Sequence, residues 1–293
     1  VLAARFDPGR SEVRGAPVAV WSGLSTPFTF EPGAFYLTGD GALFYRPGQL
    51  GGDRALAFLD AAGKLDPWSA EKRAVVEEAS SLDGRRIAFD ILNARGIDEI
   101  WVSDLARPGF RRLGTDPNAD SWYPLWSPDG RRIAYTRHGK DGRDGIYVQD
   151  ADGGEAKRIL KSESEDVVYG PVSWLPDGSA LLLTRGAPGH ASLAMLPLTG
   201  VEADSSRLRP LLPSASQQWA PRLTRDGRLL AFGSDESGKG LTYVVDFHPD
   251  GSTGRPVEVK VSGGDYRWSA DGRALFVLDE RQRLMKVDGT TGP

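Results

Sequence analysis

The sequence contains no cysteine, only three histidines and only two methionines among 293 residues. The lack of cysteine excludes disulfide bonds, thiolate zinc sites and cysteine nucleophiles. No apolar run is long enough to cross a bilayer, so we expect no membrane insertion by this chain. No long stretch has the apolar spacing of an amphipathic helix. The chain is instead rich in glycine (36) and proline (20), as a protein made of many turns requires.

The chain also has no excess of positive charge, because 40 acidic residues outnumber 36 lysines and arginines and give a net charge of −4. Nucleic-acid binding needs a concentrated basic surface, so we expect no nucleic-acid partner. Three arginine pairs, at 85–86, 111–112 and 131–132, occupy equivalent places in a repeated pattern. We interpret them as solvated edges of that pattern rather than as a binding stripe.

An Asp-Gly pair followed by a short apolar run recurs six times, at intervals of 43 to 49 residues. The six pairs begin at Asp40, Asp83, Asp129, Asp177, Asp226 and Asp271. Two β-rich runs separated by Asp-Gly predict a β-hairpin, because glycine accepts a positive φ and aspartate tolerates turn geometry. A period of this length indicates one supersecondary unit repeated along the chain.

Each copy of the unit has readable strands on both sides of its turn. An apolar side chain stands three residues before five of the six turn aspartates, and Ser80 stands there in the second copy. Two apolar strands follow each turn, and a more polar fourth strand is readable in four copies. Four strands per copy predict the blades of a β-propeller. We therefore predict an all-β fold, a six-bladed β-propeller of four-stranded antiparallel blades that forms one domain, 1–293.

The two ends of the chain bear on how such a ring closes. The sixth copy reaches its third strand near Val287 and stops, while two strand-like runs, 1–6 and 17–21, precede the first copy. We predict that an N-terminal strand completes the last blade and so covers a sheet edge. Which of the two runs does so is left open. The predicted blades span about 34–70, 71–116, 117–163, 164–213, 214–262, and 263–293 together with 1–24.

Sequence motifs for catalysis are missing. There is no Gly-x-Ser-x-Gly elbow, no phosphate-binding Gly-x-x-x-x-Gly-Lys loop and no His-Glu-x-x-His pair. His138 and His190 fall in neighbouring predicted loops, but neither lies near other metal ligands, and His248 belongs to the opposite face. The segment 141–145 lacks the spaced acids of a calcium loop, so we interpret it as a flexible hairpin loop. We expect no catalytic residue, metal site or cofactor.

The connections that lead into the inner strands ring the channel mouth of a propeller, and here they carry aromatic and polar residues. Tyrosine, tryptophan and arginine are enriched at binding hot spots, so we predict a protein or peptide ligand at this mouth. The alternative is that these side chains only begin the packing of the inner strands. We expect the isolated domain to be a monomer. The candidate binding residues are Tyr36, Glu77, Trp122, Tyr123, Tyr169, Gln218, Trp219, Tyr266 and Arg267.

The segment from Trp126 to Tyr135 resembles the WD40-like repeat of TolB-type propellers, and degenerate copies stand at the other five places. Segments at 1–20, 101–106, 229–238 and 283–287 resemble the propellers that follow bacterial transmembrane serine/threonine kinases. The resemblance implies a non-catalytic sensor or protein-binding domain within a larger bacterial envelope or signalling protein. It also implies a periplasmic or extracytoplasmic location.

Two other classes of function remain open. The same repeat occurs in propellers of prolyl-oligopeptidase-type enzymes, whose hydrolase domain has no counterpart here, and in lyases that use a histidine-bound metal. The enzyme alternative is a metal-assisted lyase or lactonase with its site at the central channel, which requires converging His, Asp, Glu or Asn side chains. A domain that only regulates an attached enzyme would have no pocket of useful size.

Overall fold

The computed structural model describes residues 2–7, 12–19, 35–37, 43–45, 57–59, 65–69, 71–114, 116–187, 190–259, 265–269, 271–278 and 284–288. Within these ranges the chain forms 25 β-strands and one short 3-10 helix, Ser205–Arg207. The described part contains no helix with the length and apolarity needed to cross a bilayer.

The strands assemble into six sheets, numbered here in chain order. The two N-terminal strands are β1 (Leu2–Asp7) and β2 (Glu12–Ala19). Sheet 1 contains β3 (Phe35–Leu37), β4 (Leu43–Tyr45), β5 (Ala57–Leu59) and β6 (Leu65–Pro67). Sheet 2 contains β7 (Val75–Ser80), β8 (Arg86–Leu92), β9 (Asp98–Asp104) and β10 (Arg107–Arg112). Sheet 3 contains β11 (Asp120–Trp126), β12 (Arg132–His138), β13 (Gly145–Asp150) and β14 (Lys157–Lys161).

The remaining strands form three further sheets. Sheet 4 contains β15 (Val168–Trp174), β16 (Ala180–Ala187), β17 (His190–Pro197) and β18 (Arg209–Leu211). Sheet 5 contains β19 (Gln218–Leu223), β20 (Leu229–Ser234), β21 (Leu241–Asp246) and β22 (Val257–Val259). Sheet 6 contains β23 (Asp265–Trp268), β24 (Ala274–Leu278) and β25 (Leu284–Asp288), joined by β1 and β2.

Sheets 1 to 5 each have four strands that pair antiparallel with their neighbours in chain order. Apolar cores lie between consecutive sheets. Ile100 of sheet 2 shares a core with Ile133 of sheet 3, and Leu182 of sheet 4 shares one with Phe232 of sheet 5. Neighbouring sheets cover both faces of the central strands, and this is why those strands carry apolar residues on both faces. The predicted all-β class and four-stranded antiparallel sheets are confirmed.

Sheet 6 differs from the predicted four antiparallel strands. Its order is β2-β1-β25-β24-β23, so both N-terminal strands belong to it and it has five strands. β1 pairs parallel with β25, with Ala4 opposite Val287, and antiparallel with β2. Because β1 and β2 pair with each other along most of their length, they join the sheet as one hairpin, and β2 lies at its edge.

A side-chain bond that recurs in four sheets fixes the Asp-Gly turns. In sheet 3 the Ser127 hydroxyl donates to Asp129 Oδ1 at 2.6 Å and accepts from the Arg132 amide at 2.9 Å. The Ser127 bond is the main reason that the pKa of Asp129 lies below its ordinary value. Gly130 takes the left-handed φ of 65° that such a turn needs. The equivalent donors in sheets 2, 5 and 6 are Ser81, Thr224 and Ser269.

Arginines that follow these turns join one sheet to the next. The Arg86 guanidinium lies 4.7 Å from the centre of the Trp126 ring and pairs with Asp152 at 3.0 Å. Arg132 lies 5.4 Å from the Trp174 ring in the same way. A guanidinium over an indole face combines cation–π attraction with burial of its aliphatic stem. The interpretation of these pairs as solvated edges is therefore wrong for Arg86 and Arg132, although the first arginine of each of these two pairs is exposed. The third pair, Arg111 and Arg112, ends the fourth strand β10, so it does not occupy a place equivalent to the other two.

Candidate functional site

A cavity of about 420 Å³ lies where the inner strands β11, β15 and β19 begin. Strands β11, β15 and β19 begin on the face that carries the connections between second and third strands, opposite the Asp-Gly turns. The volume is typical of pockets that hold a small ligand or a few side chains. The lining residues are Trp122, Tyr123, Asp166, Val168, Gly170, Val172, Thr184, Gly186, Ala187, His190, Trp219, Ala220 and Arg222.

Trp122 lines one side of the cavity, and its ring packs against residues of its own sheet. The Trp122 ring stacks on His138 with centroids 5.7 Å apart and meets Tyr123 edge-on at 6.1 Å. His138 Nδ1 in turn lies 2.9 Å from Asp144 Oδ2, so the imidazole is fixed on both sides. A wall braced in this way presents its free face to the cavity with little rotamer freedom to lose on binding.

The backbone at the cavity is strained at two equivalent places. Tyr123 has a φ of 59° and Ala220 a φ of 47°, and each precedes a proline. A left-handed conformation is unfavourable for residues with a Cβ and costs about 1–3 kcal/mol. The ladder between the first and second strands shifts register at both places, as at a β-bulge. Bulges redirect side chains and are frequent beside binding sites.

Trp219 lines the other side of the cavity, and its ring lies against a glycine. Gly233 stands opposite Trp219 in the β19–β20 pairing, and a Cβ there would be 2.2 Å from Trp219 Nε1. In sheet 3 the residue opposite Trp122 is Thr136, whose hydroxyl donates to the Tyr169 carbonyl at 2.5 Å. The two equivalent tryptophans therefore stand opposite different residues, Trp219 opposite a glycine and Trp122 opposite a threonine.

Replacing Gly233 with alanine is expected to displace the Trp219 ring, because the new methyl group would overlap it. We expect a destabilisation of about 1–3 kcal/mol from this overpacking. With 5-fluorotryptophan incorporated, the ¹⁹F resonance of Trp219 should move while the other seven stay in place. Gly109→Ala is the matched control, because a Cβ at Gly109 meets nothing within 4 Å. An unmoved Trp219 resonance would show that Gly233 does not hold the ring.

A buried arginine anchors the loop beside Trp122. The Arg137 side chain is 6% exposed and bonds Asp116 at 2.8 Å and Asp141 at 2.7 Å, while Asp144 lies 4.0 Å away. Hydrogen bonds from Arg137 hold the pKa of Asp116 and of Asp141 below their ordinary values. The carboxylate of Asp141, in the segment interpreted as a flexible hairpin loop, is thus bound to a guanidinium. This cluster fixes the hairpin that carries His138.

The nine predicted binding residues divide into three groups. Trp122, Tyr123 and Trp219 line the cavity. The second group, buried within the strand packing, consists of Glu77, Tyr169, Gln218 and Tyr266. Arg267 is half-buried, and Tyr36 lies in β3 with its side chain outside the described residues.

The buried group makes bonds of its own. The Tyr169 hydroxyl donates to Glu163, which also pairs with Arg185 at 2.7 Å. Gln218 Nε2 donates to a backbone carbonyl at 2.7 Å, and the Tyr266 hydroxyl donates to the Trp219 carbonyl at 3.2 Å. The side chains of Tyr169, Gln218 and Tyr266 are therefore buried in the packing of the inner strands, which is the alternative given above, and are not exposed at the mouth.

Sequence reasoning missed most of the other lining residues. Val168, Gly170 and Val172 of β15 all line the cavity. Ala220 could have been found from the repeated pattern of a tryptophan two residues before a proline, which occurs at Trp122 and Trp219. The pattern marks the strained, bulged starts of two inner strands that face each other across β15.

The histidines do not converge on a metal site within the described residues. His138 is bonded to Asp144, His190 lines the cavity, and His248 lies in the turn after β21. Among the residues that the structure describes, no group of three or more His, Asp or Glu side chains is arranged to hold a metal ion.

Comparison with known proteins supports the fold. No family model matches the sequence. A 66-residue segment is 39% identical to the Tol-Pal system protein TolB of Alcanivorax borkumensis, which covers 22% of this chain and 14% of that protein. The match thus spans only about one seventh of the length of this curated relative.

Solved structures are similar over most of the chain. A TolB structure from Agrobacterium tumefaciens superposes with a TM-score of 0.63 at 21% identity, covering 93% of this chain and 96% of that one. An oligogalacturonate lyase in complex with manganese gives 0.57 at 14% identity, with 86% and 74% covered. These similarities define the chain as a β-propeller. More particularly, its fold is that of the TolB-like β-propellers.

Proposed function

We propose that this chain is a non-catalytic binding or sensing module that holds a protein or peptide segment in the cavity at the channel mouth. The observation that carries the proposal is the aromatic wall formed by Trp122 and Tyr123 of β11 and Trp219 of β19, on the two sides of β15. Tryptophan and tyrosine supply large contact areas and dominate binding hot spots. The strained backbone at Tyr123 also fits a binding surface, because strain concentrates at ligand sites.

The proposal includes the architecture of the whole chain. The six sheets act as six blades with the boundaries predicted above, and the N-terminal hairpin closes the ring through β1 and β25. The order of strands in sheet 6 supports this closure. We further infer that the domain belongs to a larger bacterial envelope or signalling protein, such as a transmembrane kinase, and works outside the cytoplasm. The complete reading frame tests that inference directly.

The binding function is tested with a phage-displayed library of random twelve-residue peptides, selected on the purified chain. We expect selected peptides to bind the wild type, and Trp219→Ala to weaken that binding by about 30-fold, as loss of a hot-spot tryptophan does. Trp219→Phe should restore part of the affinity. Leu92→Ala is the control, because Leu92 is exposed but does not line the cavity.

Two outcomes would count against the proposal. Failure of the wild type to enrich any peptide, or equal binding by Trp219→Ala, would remove the cavity from the function. Turnover of an oligosaccharide or lactone in the presence of manganese, abolished by His190→Ala, would favour the lyase alternative instead.

A further inference from the structure

We propose that the cavity contains a carboxylate subsite, centred on Arg222 and assisted by Arg267 of the neighbouring inner strand. This inference rests on the proposed function and names its ligand. The partner segment then presents a large apolar side chain to the aromatic wall and a carboxylate next to it. The carboxylate comes either from an acidic side chain or from the C-terminus of the partner.

The two arginines occupy equivalent places on adjacent inner strands. Arg222 on β19 directly precedes Leu223, and Arg267 on β23 directly precedes Trp268. The strands meet at these residues, because Trp268 Nε1 donates to the Arg222 carbonyl at 2.8 Å. The Tyr266 hydroxyl makes a second bond between the same two strands. The backbones that carry both guanidinium groups are therefore fixed relative to each other.

The two guanidinium groups make the same kind of bond to the backbone. Arg222 Nη1 donates to the Pro221 carbonyl at 2.9 Å, and Arg267 Nη1 donates to the Tyr266 carbonyl at 2.8 Å. Each guanidinium thus lies beside the carbonyl of the preceding residue, on the side where the inner strand begins. Arg222 lines the cavity, Arg267 lies on the next inner strand outside the lining, and both side chains are half-buried.

The lining contains one arginine and one acidic residue, which differ in exposure. The arginine among the lining residues is Arg222. The acidic lining residue is Asp166, which is exposed in the connection before β15. Charges in contact with water are screened, whereas a half-buried guanidinium interacts more strongly. The planar fork of arginine matches the two oxygens of a carboxylate. A carboxylate beside an apolar group therefore complements the charge and the surface of the cavity.

The test selects two random twelve-residue libraries on the wild-type chain, one displayed with free C-termini and one displayed internally. We expect enriched peptides to carry Asp or Glu within about two positions of a large apolar residue, or an apolar residue at a free C-terminus. For a selected peptide, Arg222→Gln should lower affinity by about tenfold or more, and Arg267→Gln by a few-fold. Arg222→Lys should retain only part of the affinity, because it keeps the charge and loses the fork.

A double-mutant cycle separates this subsite from a general effect of charge. Changing the peptide Asp to Asn, or amidating its C-terminus, should weaken binding to the wild type and leave binding to Arg222→Gln almost unchanged. Arg228→Gln is the matched control, because that side chain is 82% exposed in the Asp-Gly turn of the same sheet. It should bind like the wild type.

The outcomes distinguish this inference from the proposed function. Peptides that lack a carboxylate, yet lose affinity in Trp219→Ala, would overturn the subsite and leave the binding module in place. Undiminished binding of acidic peptides by Arg222→Gln would also overturn the subsite. Failure to enrich any peptide from either library would overturn both.

Discussion

Replacing Arg137 with methionine is expected to lower the free energy of unfolding by about 3–5 kcal/mol at pH 7, measured by denaturant titration. Arg137 is buried and bonds Asp116 and Asp141, with Asp144 close by. Removing the guanidinium leaves three carboxylates close together, and the cation that still pairs with two of them, Arg143, is largely exposed. Methionine retains much of the side-chain volume, so the loss reports charge rather than packing.

The same prediction also gives the direction in which the stability difference changes with pH. In the wild type, Arg137 lowers the pKa of Asp116 and Asp141, so their stabilisation is present above the ordinary aspartate pKa and is lost only as pH falls through the lowered values. In Arg137→Met, repulsion raises these pKa values, so protonation should stabilise the variant as pH falls toward about 4. The difference in the free energy of unfolding between the wild type and Arg137→Met should therefore become smaller at acidic pH.

Arg143 offers a matched control for this experiment. It pairs with the same carboxylates, at 2.8 Å from Asp141 and 3.7 Å from Asp116, but its side chain is 65% exposed. Exposed pairs contribute little, so Arg143→Met should cost less than about 1 kcal/mol. Equal losses in the two variants, or a gap that does not change with pH, would contradict the role assigned to Arg137.

The repeated turns could be predicted from the sequence because their causes are local. Ser127, Asp129 and Gly130 lie within four residues, and the bonds of Ser127 close the turn within its own sheet. The strand before the turn and the strand after it follow from the same short pattern. The aromatic starts of the inner strands were also visible, and three of the predicted residues do line the cavity.

The orientation of the mouth residues could not be predicted, because it depends on where each bulge falls. The ladder of sheet 3 shifts between Trp122 and Leu125, whereas that of sheet 4 shifts between Pro171 and Ser173. A one-residue shift moves a side chain to the other face of its strand. Tyr123 lies at the shift of its sheet and lines the cavity, whereas Tyr169 precedes the shift of sheet 4, pairs with Arg185 and is buried.

The Arg137 cluster could not be predicted from the sequence, for a different reason. Asp116 comes from the connection before β11 and Asp141 from the hairpin after β12, so their meeting on one guanidinium requires the folded sheet. The sequence shows only a short acidic, glycine-rich run at 141–145. Contacts between separated loops are specified by the whole core and not by any local pattern.

Replacing Trp126 with alanine is expected to lower the free energy of unfolding by about 3–5 kcal/mol, as loss of a buried tryptophan generally does. Trp126 is 4% exposed within the core between sheets 2 and 3. Its Nε1 donates to the Ala79 carbonyl of sheet 2 at 2.9 Å, and Arg86 of that sheet covers its ring. One side chain thus joins two sheets by burial, a hydrogen bond and a cation–π contact.

The phenylalanine variants isolate the hydrogen bond, because the chain offers a matched tryptophan. Trp174 occupies the equivalent place in sheet 4, is 6% exposed and lies under Arg132, but its buried Nε1 has no partner among the described residues. Trp126→Phe removes the hydrogen bond to the Ala79 carbonyl, whereas Trp174→Phe removes an unpaired donor. We expect Trp126→Phe to cost about 1–2 kcal/mol more than Trp174→Phe in parallel denaturant titrations. Equal losses, or a larger loss at Trp174, would show that the bond between sheets 2 and 3 adds nothing beyond the packing of the rings.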